Sequence, residues 1–332
     1  MNIEPRTALF YFCWNLYNYY DIIIMYMSEI IGNENIVNFL DKATEDGTLA
    51  HSYIFYGPKN IGKKTMAYLL ASKLLNTEPE KLKLQPDFLE ARIGENNIEK
   101  EEVDNLISRL QLSSFLGGYK VLIVNHAHLM NRSSANAFLK TLEEPPKKTL
   151  ILLLTSELGG ILPTIISRSA VLHFKLAPKN EIRKFLKEQH NVEDTKSYAN
   201  ISFGRPGRAV KLLNTDWQNR HTQATQEFYK LFFGEYKERF KIIADLLKDK
   251  TDKKDRILKK IDFWIEIIRD VFLMKYKLND EVAHRANYEM LEKISNGKPL
   301  NYFSALAGRL IKMRSLVKSN INIQLMLENL II

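Results

Sequence analysis

The chain has 332 residues, 45% of them hydrophobic and 26% charged, with a formal net charge of +9. That length supports two or three domains with real cores and excludes a small scaffold stapled by disulfides. A lone cysteine, Cys13, allows no intrachain disulfide and fits a reducing, cytoplasmic setting, while the basic balance fits work beside nucleic acid without marking out a single binding stripe.

Residues 8–27 (ALFYFCWNLYNYYDIIIMYM) are apolar and aromatic, yet Asn15, Asn18 and Asp21 interrupt them. A membrane span of about 20 residues rarely carries three such groups. The segment also lacks the basic start and small-residue cleavage site of a signal peptide, so no membrane partner is expected. Two readings stand for residues 1–27: translation begins at Met25 or Met27, or the segment is a hydrophobic docking extension.

From about Ile30 to Phe174, strand and helix patterns alternate, as in a parallel α/β sheet. Tyr53-Ile-Phe-Tyr56 reads as a short buried strand. Gly57-Pro-Lys-Asn-Ile-Gly62-Lys63-Lys64-Thr65 follows it directly, and Met66–Leu75 then has helical apolar spacing. Strand, glycine loop and helix form the context of a phosphate-binding loop, whose N–H groups converge at a helix N-terminus. Lys63 is placed to reach a β- or γ-phosphate, so weak ATP or ADP binding is open. Lys64 stands where a Ser or Thr hydroxyl should ligate Mg²⁺, and an ammonium only donates hydrogen bonds. Thr65 comes one position late. A glycine-bearing turn without ligand is the other reading of this loop.

Residues 75–85 (LNTEPEKLKLQ) run into Pro86-Asp87-Phe88 without a cysteine. A tetrahedral zinc site needs four closely spaced N or S ligands, so no zinc is expected. Glu99–Leu110 is an amphipathic helix that precedes Gly117-Gly118-Tyr119 and the strand Lys120-Val-Leu-Ile-Val124. This apolar run has the layout of a Walker B strand, after which two acids belong: one to hold Mg²⁺ through water, the next to polarise the attacking water. Asn125 and His126 occupy those places. The scaffold of an ATPase is kept and its chemistry is missing.

Asn131–Leu142 is the next helix, stopped by Glu143-Glu144-Pro145-Pro146. Thr149–Ser156 is a buried run fit for the interior of a parallel sheet. Leu162-Pro-Thr-Ile-Ile-Ser167-Arg168-Ser169 leads to a last strand, Ala170–Phe174. The planar, always-charged fork of an arginine suits a phosphate that gains charge in a transition state; taken alone, Arg168 reads as an ordinary surface arginine. Residues 178–213 form a small helical segment and 217–332 are helical by their spacing, with Phe228, Leu231, Phe232, Ile261, Trp264, Ile265 and Ile268 as core positions. The mixed-charge run 247–260 reads as a solvated loop and helix face.

In order, GPKNIGKKT, VLIVNHAHLMNRSSANAFLKTLEEPP, LPTIISRS and GRPGRA closely resemble the bacterial clamp-loader AAA+ proteins, from about Ile30 to the C-terminus. Lys64, Asn125 and His126 make the chain similar to the delta-prime branch of the DNA polymerase III subunits. The gamma/tau ATPases keep Gly-Lys-Ser/Thr and an acidic Walker B. The resemblance implies an AAA+ α/β core with a parallel P-loop sheet (28–176), a helical lid (177–215) and an all-α C-terminal collar (216–332).

It also implies roles by position. Arg168 would act in trans on ATP held by an adjacent subunit, with Ser169 standing where the family has cysteine. Gly57, Gly62, Lys63, Lys64 and Thr65 would form a degenerate nucleotide loop, and Thr155 and Ser156 fall at sensor 1. Arg208 of Gly204–Ala209 falls at sensor 2, or is a helix-start residue and no more. The implied function is that of a largely non-hydrolysing subunit within the DNA polymerase III holoenzyme. Its implied partners are gamma/tau and delta subunits in a heteropentameric ring, the sliding clamp, and primed DNA through its phosphates. Two alternatives are an active gamma/tau-type ATPase, with a metal site rearranged onto Thr65 and Glu143 or Glu144, and an AAA+ module of recombination or repair.

Overall fold

The computed structural model describes residues 30–91, 98–115, 117–213, 217–248, 253–317 and 322–331. Both readings of residues 1–27 therefore fall outside the described residues, as does Cys13. The chain forms two compact units: one extends through Thr195 and takes in Ser202–Ala209, and the other comprises Lys196–Ile201 and Val210–Ile332.

The first unit is built on a wholly parallel sheet. Its strands are β1 (Ser52–Tyr56), β2 (Phe88–Glu90), β3 (Lys120–Val124), β4 (Thr149–Thr155) and β5 (Ala170–His173), in the order β2-β3-β4-β1-β5. Every residue of β3 and β4 is buried, which explains their unbroken Val/Leu/Ile runs; β5, at the edge, alternates half-buried and exposed residues. In register, Tyr56 lies opposite both Thr155 and His173, and Val124 lies opposite Leu153. The loops after β1, β3 and β4 therefore leave from one edge of the sheet.

Helices cover both faces: α1 (Glu34–Glu45), α2 (Lys63–Leu75), α3 (Lys100–Gln111), α4 (Arg132–Glu143) and the single turn α5 (Pro163–Ile166). Successive strand residues point to opposite faces. Tyr53, Phe55, Val121, Ile123 and Leu152 thus pack with Leu40 of α1 and Met66 and Leu70 of α2. Ile54, Leu122, Val124 and Leu153 pack with Val103 and Leu106 of α3 and Phe138 of α4. Burying each such side chain contributes about 1.5–3 kcal/mol.

The first helix starts at Glu34, with Asn33 at its N-cap position. The Asn33 side chain does not cap it. Buried, it accepts from Lys175 N at 2.8 Å and donates to Lys175 O at 3.1 Å, tying residues 30–33 to the chain that leaves β5. Gly32 (φ +76°) makes that approach possible, since a Cβ there would lie 2.6 Å from Ala177 Cα. Buried Asp87 holds the entry to β3, accepting from Ser114 Oγ at 2.9 Å and Phe115 N at 3.0 Å. Beyond β5 come α6 (Lys179–His190), α7 (Thr195–Ser202) and α8 (Pro206–Leu213).

The second unit continues with α9 (Trp217–Phe233), α10 (Tyr236–Lys248), α11 (Lys253–Lys275), α12 (Tyr288–Gly297), α13 (Leu300–Leu316) and α14 (Ile323–Ile331). Phe228, Leu231, Phe232, Ile261, Trp264 and Ile268 are buried in its core; Ile265, one step round the helix from Trp264, is only partly buried. Within the mixed-charge run, α10 ends at Lys248 and α11 begins at Lys253, so helix takes up both flanks. The fold is a five-stranded parallel α/β core followed by further helices and an all-α C-terminal region. No helix among the described residues is long and apolar enough to cross a membrane.

Candidate functional site

The glycine loop leaves the carboxyl end of β1 as its sequence requires. Gly57 has φ +149° and a Cβ there would fall 2.4 Å from Phe174 O, while Gly62 (φ +96°) precedes the first turn of α2. Only glycine meets both demands without strain. The loop is braced by buried Ile61 and by Gly207 N, which donates to Asn60 O at 3.0 Å. The Gly204–Ala209 turn therefore touches the loop through its backbone. Arg208, in α8, stacks its guanidinium on Phe203, 4.9 Å from the ring centroid.

Lys63 folds back onto its own loop, where Nζ donates to Gly57 O at 2.5 Å and to Pro58 O at 2.6 Å. Burial, followed by the neighbouring charge of Lys59, brings its pKa down to about 8. Lys64 Nζ lies 2.9 Å from Glu90 Oε1 at the end of β2 and 5.0 Å from the Tyr68 ring centroid. Tyr68 OH donates to the other Glu90 oxygen at 2.6 Å. Burial raises the Glu90 pKa, but the hydrogen bonds from Tyr68 and Lys64 outweigh it and hold the carboxyl below its usual range. Thr65 is exposed on the first turn of α2.

At the end of β3, Asn125 Oδ1 accepts from His126 N at 3.0 Å, and His126 adopts a left-handed backbone (φ +52°). The His126 ring sits edge-on to His128, with centroids 5.7 Å apart. Thr155, buried at the end of β4, donates to Glu157 O at 3.1 Å, so its bond with His128 Nδ1 at 3.0 Å takes the proton from the histidine. Ser156 follows at the same edge. Burial, then the charges of His128, Lys59, Lys63 and Lys64, lower the His126 pKa, so its ring is neutral near pH 7. Asn125, His126 and Lys64 thus present a committed amide oxygen, a neutral imidazole and an ammonium. They do not fit a Mg²⁺ ion, which demands hard oxygen ligands in octahedral geometry.

Arg168 occupies the opposite edge of the sheet. Ser169 Oγ lies 2.8 Å from Ser52 Oγ, pinning the Arg168 turn to the first residue of β1, whereas the glycine loop follows the last. At about 3.3 Å per residue, this strand sets the two some 16 Å apart. Arg168 Nη2 meets Glu143 Oε1, the last residue of α4, at 2.7 Å, and Nη1 donates to Thr164 O at 3.1 Å. Glu143 is thus engaged at the Arg168 edge, so the alternative metal site pairing it with Thr65 is not assembled.

A family model described as DNA polymerase III, delta subunit, matches residues 32–178. The delta-prime subunit of Bacillus subtilis is 24% identical over 322 residues, covering 90% of this chain and 94% of that one. The gamma subunit of Buchnera aphidicola is 26% identical over 299 residues, covering 82% and 83%. The tau/gamma subunit of Haemophilus influenzae is 31% identical over 173 residues, covering 48% of this chain but 25% of its own length. The chain is similar over most of its length to DNA polymerase III gamma and delta-prime subunits.

The stretch matched by the family model holds the glycine loop, Asn125 and His126, Thr155 and Ser156, and Arg168; Arg208 lies beyond it. Two of its neighbours escaped sequence reasoning. Glu90 and Tyr68 close the metal position, yet Glu90 is 26 residues from Lys64 and carries no local pattern. Glu143 was visible as part of a helix stop, and its pairing with Arg168 was not.

Proposed function

We propose that this chain is a delta-prime-type subunit of a DNA polymerase III clamp loader that does not burn ATP itself and supplies Arg168 to ATP held by an adjacent gamma/tau-type subunit. The observation that carries this reading is the separation of Arg168 from the chain's own glycine loop by the whole length of β1. An arginine side chain spans well under that distance, which supports a phosphate partner on another subunit. The loop supports the same reading. Lysines stand around it, its Walker B carboxylates are absent, and its metal position is filled by an ion pair. Nucleotide would be held weakly and without its metal.

In this reading the second, all-helical unit is the collar joining a ring that includes delta and gamma/tau subunits. The ring loads a sliding clamp on primed DNA, with contacts to phosphate that weaken as salt rises. The test is a loader reconstituted with gamma/tau, delta, clamp and primed DNA. Arg168→Ala should assemble normally and lower DNA-stimulated ATP hydrolysis steeply, a trans arginine being worth about 10³–10⁵ in other nucleotide hydrolases. Lys63→Ala should stay within about twofold of wild type. Brisk Mg²⁺-dependent turnover by the isolated chain would overturn the proposal.

A further inference from the structure

We propose that Glu143 is a positioning residue for Arg168, fixing the guanidinium in the direction from which it meets a neighbour's phosphate; the inference rests on the trans reading of that arginine. A free arginine side chain carries about 2 kcal/mol of rotamer entropy, which would be lost each time it engaged a ligand. Here it is ordered in advance. Glu143 Oε1 takes Nη2 at 2.7 Å, Thr164 O takes Nη1 at 3.1 Å, and Ser167 Oγ lies 3.4 Å from Nη1. A carboxylate on one flank and a helix carbonyl on another define the plane of the fork. Such fixed placement of a charge before it is needed is the form of preorganisation that lowers a barrier.

The supports are themselves rigid. Thr164 belongs to the α5 turn, Ser169 is bonded to Ser52 at the start of β1, and Glu143 ends α4, whose Phe138 and Leu142 are buried in the sheet core. Glu143 remains about half exposed, so it contributes little to folding, and a substitution there reads out its effect on Arg168. The carboxylate belongs to the Glu-Glu-Pro-Pro stop that ends α4, and the prolines fix where that helix gives way to β4.

The test uses the reconstituted loader with five versions of the full chain: wild type, Glu143→Ala, Glu143→Gln, Arg168→Ala and the double variant of Glu143→Ala with Arg168→Ala. Glu143→Ala should lower kcat for DNA-stimulated ATP hydrolysis about tenfold while KM for ATP stays within about twofold, the mark of an interaction that matters in the transition state. Glu143→Gln, which keeps an acceptor oxygen in place, should recover most of the loss. Glu143→Ala combined with Arg168→Ala should be no slower than Arg168→Ala alone. Full or increased kcat in Glu143→Ala, with Arg168→Ala still crippled, would overturn the positioning role and leave the trans arginine standing. So would losses that multiply in the double variant. Unchanged turnover in Arg168→Ala would overturn the trans reading and this inference with it.

Discussion

Lys64 and Glu90 form an ion pair, Nζ to Oε1 at 2.9 Å, across the position where a phosphate-binding loop keeps its metal-ligating hydroxyl. Tyr68 holds the second carboxylate oxygen, so the acid that approaches the loop is committed on both sides. The poor fit of this position to a metal ion is therefore a property of several residues together.

Lys64→Thr alone should not create a Mg²⁺ site, because Asn125 and His126 would still supply no carboxylate. Titration of the purified variant with a fluorescent ADP analogue should show the same affinity with Mg²⁺ as with EDTA. Stability should change by less than about 1 kcal/mol, as befits a pair whose lysine is half exposed. Adding Asn125→Asp and His126→Glu to Lys64→Thr should introduce a Mg²⁺ dependence. Mg²⁺-dependent binding by the single variant would show that the ion pair alone blocks the site.

The retraction of Lys63 has a pH signature. Its pKa in the fold is about 8 against an ordinary 10.5, with burial the main cause and Lys59 the second. Between those values the unfolded chain holds a proton that the folded chain has released, so this residue's contribution to stability improves as pH rises from about 8 to 10.5. Below pH 8 both states are charged, and the folded one carries the burial cost in full. Lysine NMR, with Lys63→Ala to assign the signal, should show one ammonium titrating near pH 8. Denaturant unfolding should show the wild type gaining on Lys63→Ala between pH 8 and 10. Titration of Lys63 above pH 10 would mean that it is solvated and not held by Gly57 and Pro58.

Much of this was legible in the chain because it is local. Gly57 and Gly62 are glycines since the turn between β1 and α2 needs positive φ at both, and the unbroken Leu/Ile run of β4 follows from burial on two faces. The helix stop at Pro145-Pro146 and the core stripe of α9 and α11 were local in the same way. What could not be read is where long polar side chains end. Lys63 chose carbonyls in its own loop, Lys64 chose a carboxylate on β2, and Asn33 gave up capping α1 for the backbone of Lys175, 142 residues away on the chain that leaves β5. Ile265 shows the limit on the apolar side as well. Its spacing fits the stripe, but the helix face turns it to the border of the core. The distance of Arg168 from the glycine loop likewise depended on knowing that its turn docks at the start of β1.

The helical unit contains a polar centre that spacing did not signal. Asp270, fully buried on α11, accepts from Ala283 N at 3.0 Å, from His284 N at 2.9 Å, from His284 Nδ1 at 2.7 Å and from Arg269 Nη1 at 2.9 Å. One carboxylate thus pins the connection between α11 and α12, and four donors lose their acceptor if it goes. Breaking a buried pair by removing one partner typically costs about 3–5 kcal/mol, because the groups left behind stay buried and unpaired. Asp270→Ala should fall in that range, and Asp270→Asn, which keeps an acceptor oxygen but no charge, should lose distinctly less. Two of the three tryptophans, Trp217 and Trp264, lie in this unit, so thermal unfolding followed by tryptophan fluorescence is weighted towards it. An Asp270→Ala protein that melts within a degree of wild type would mean the connection is held by its apolar neighbours Val282 and Leu291 and not by the carboxylate.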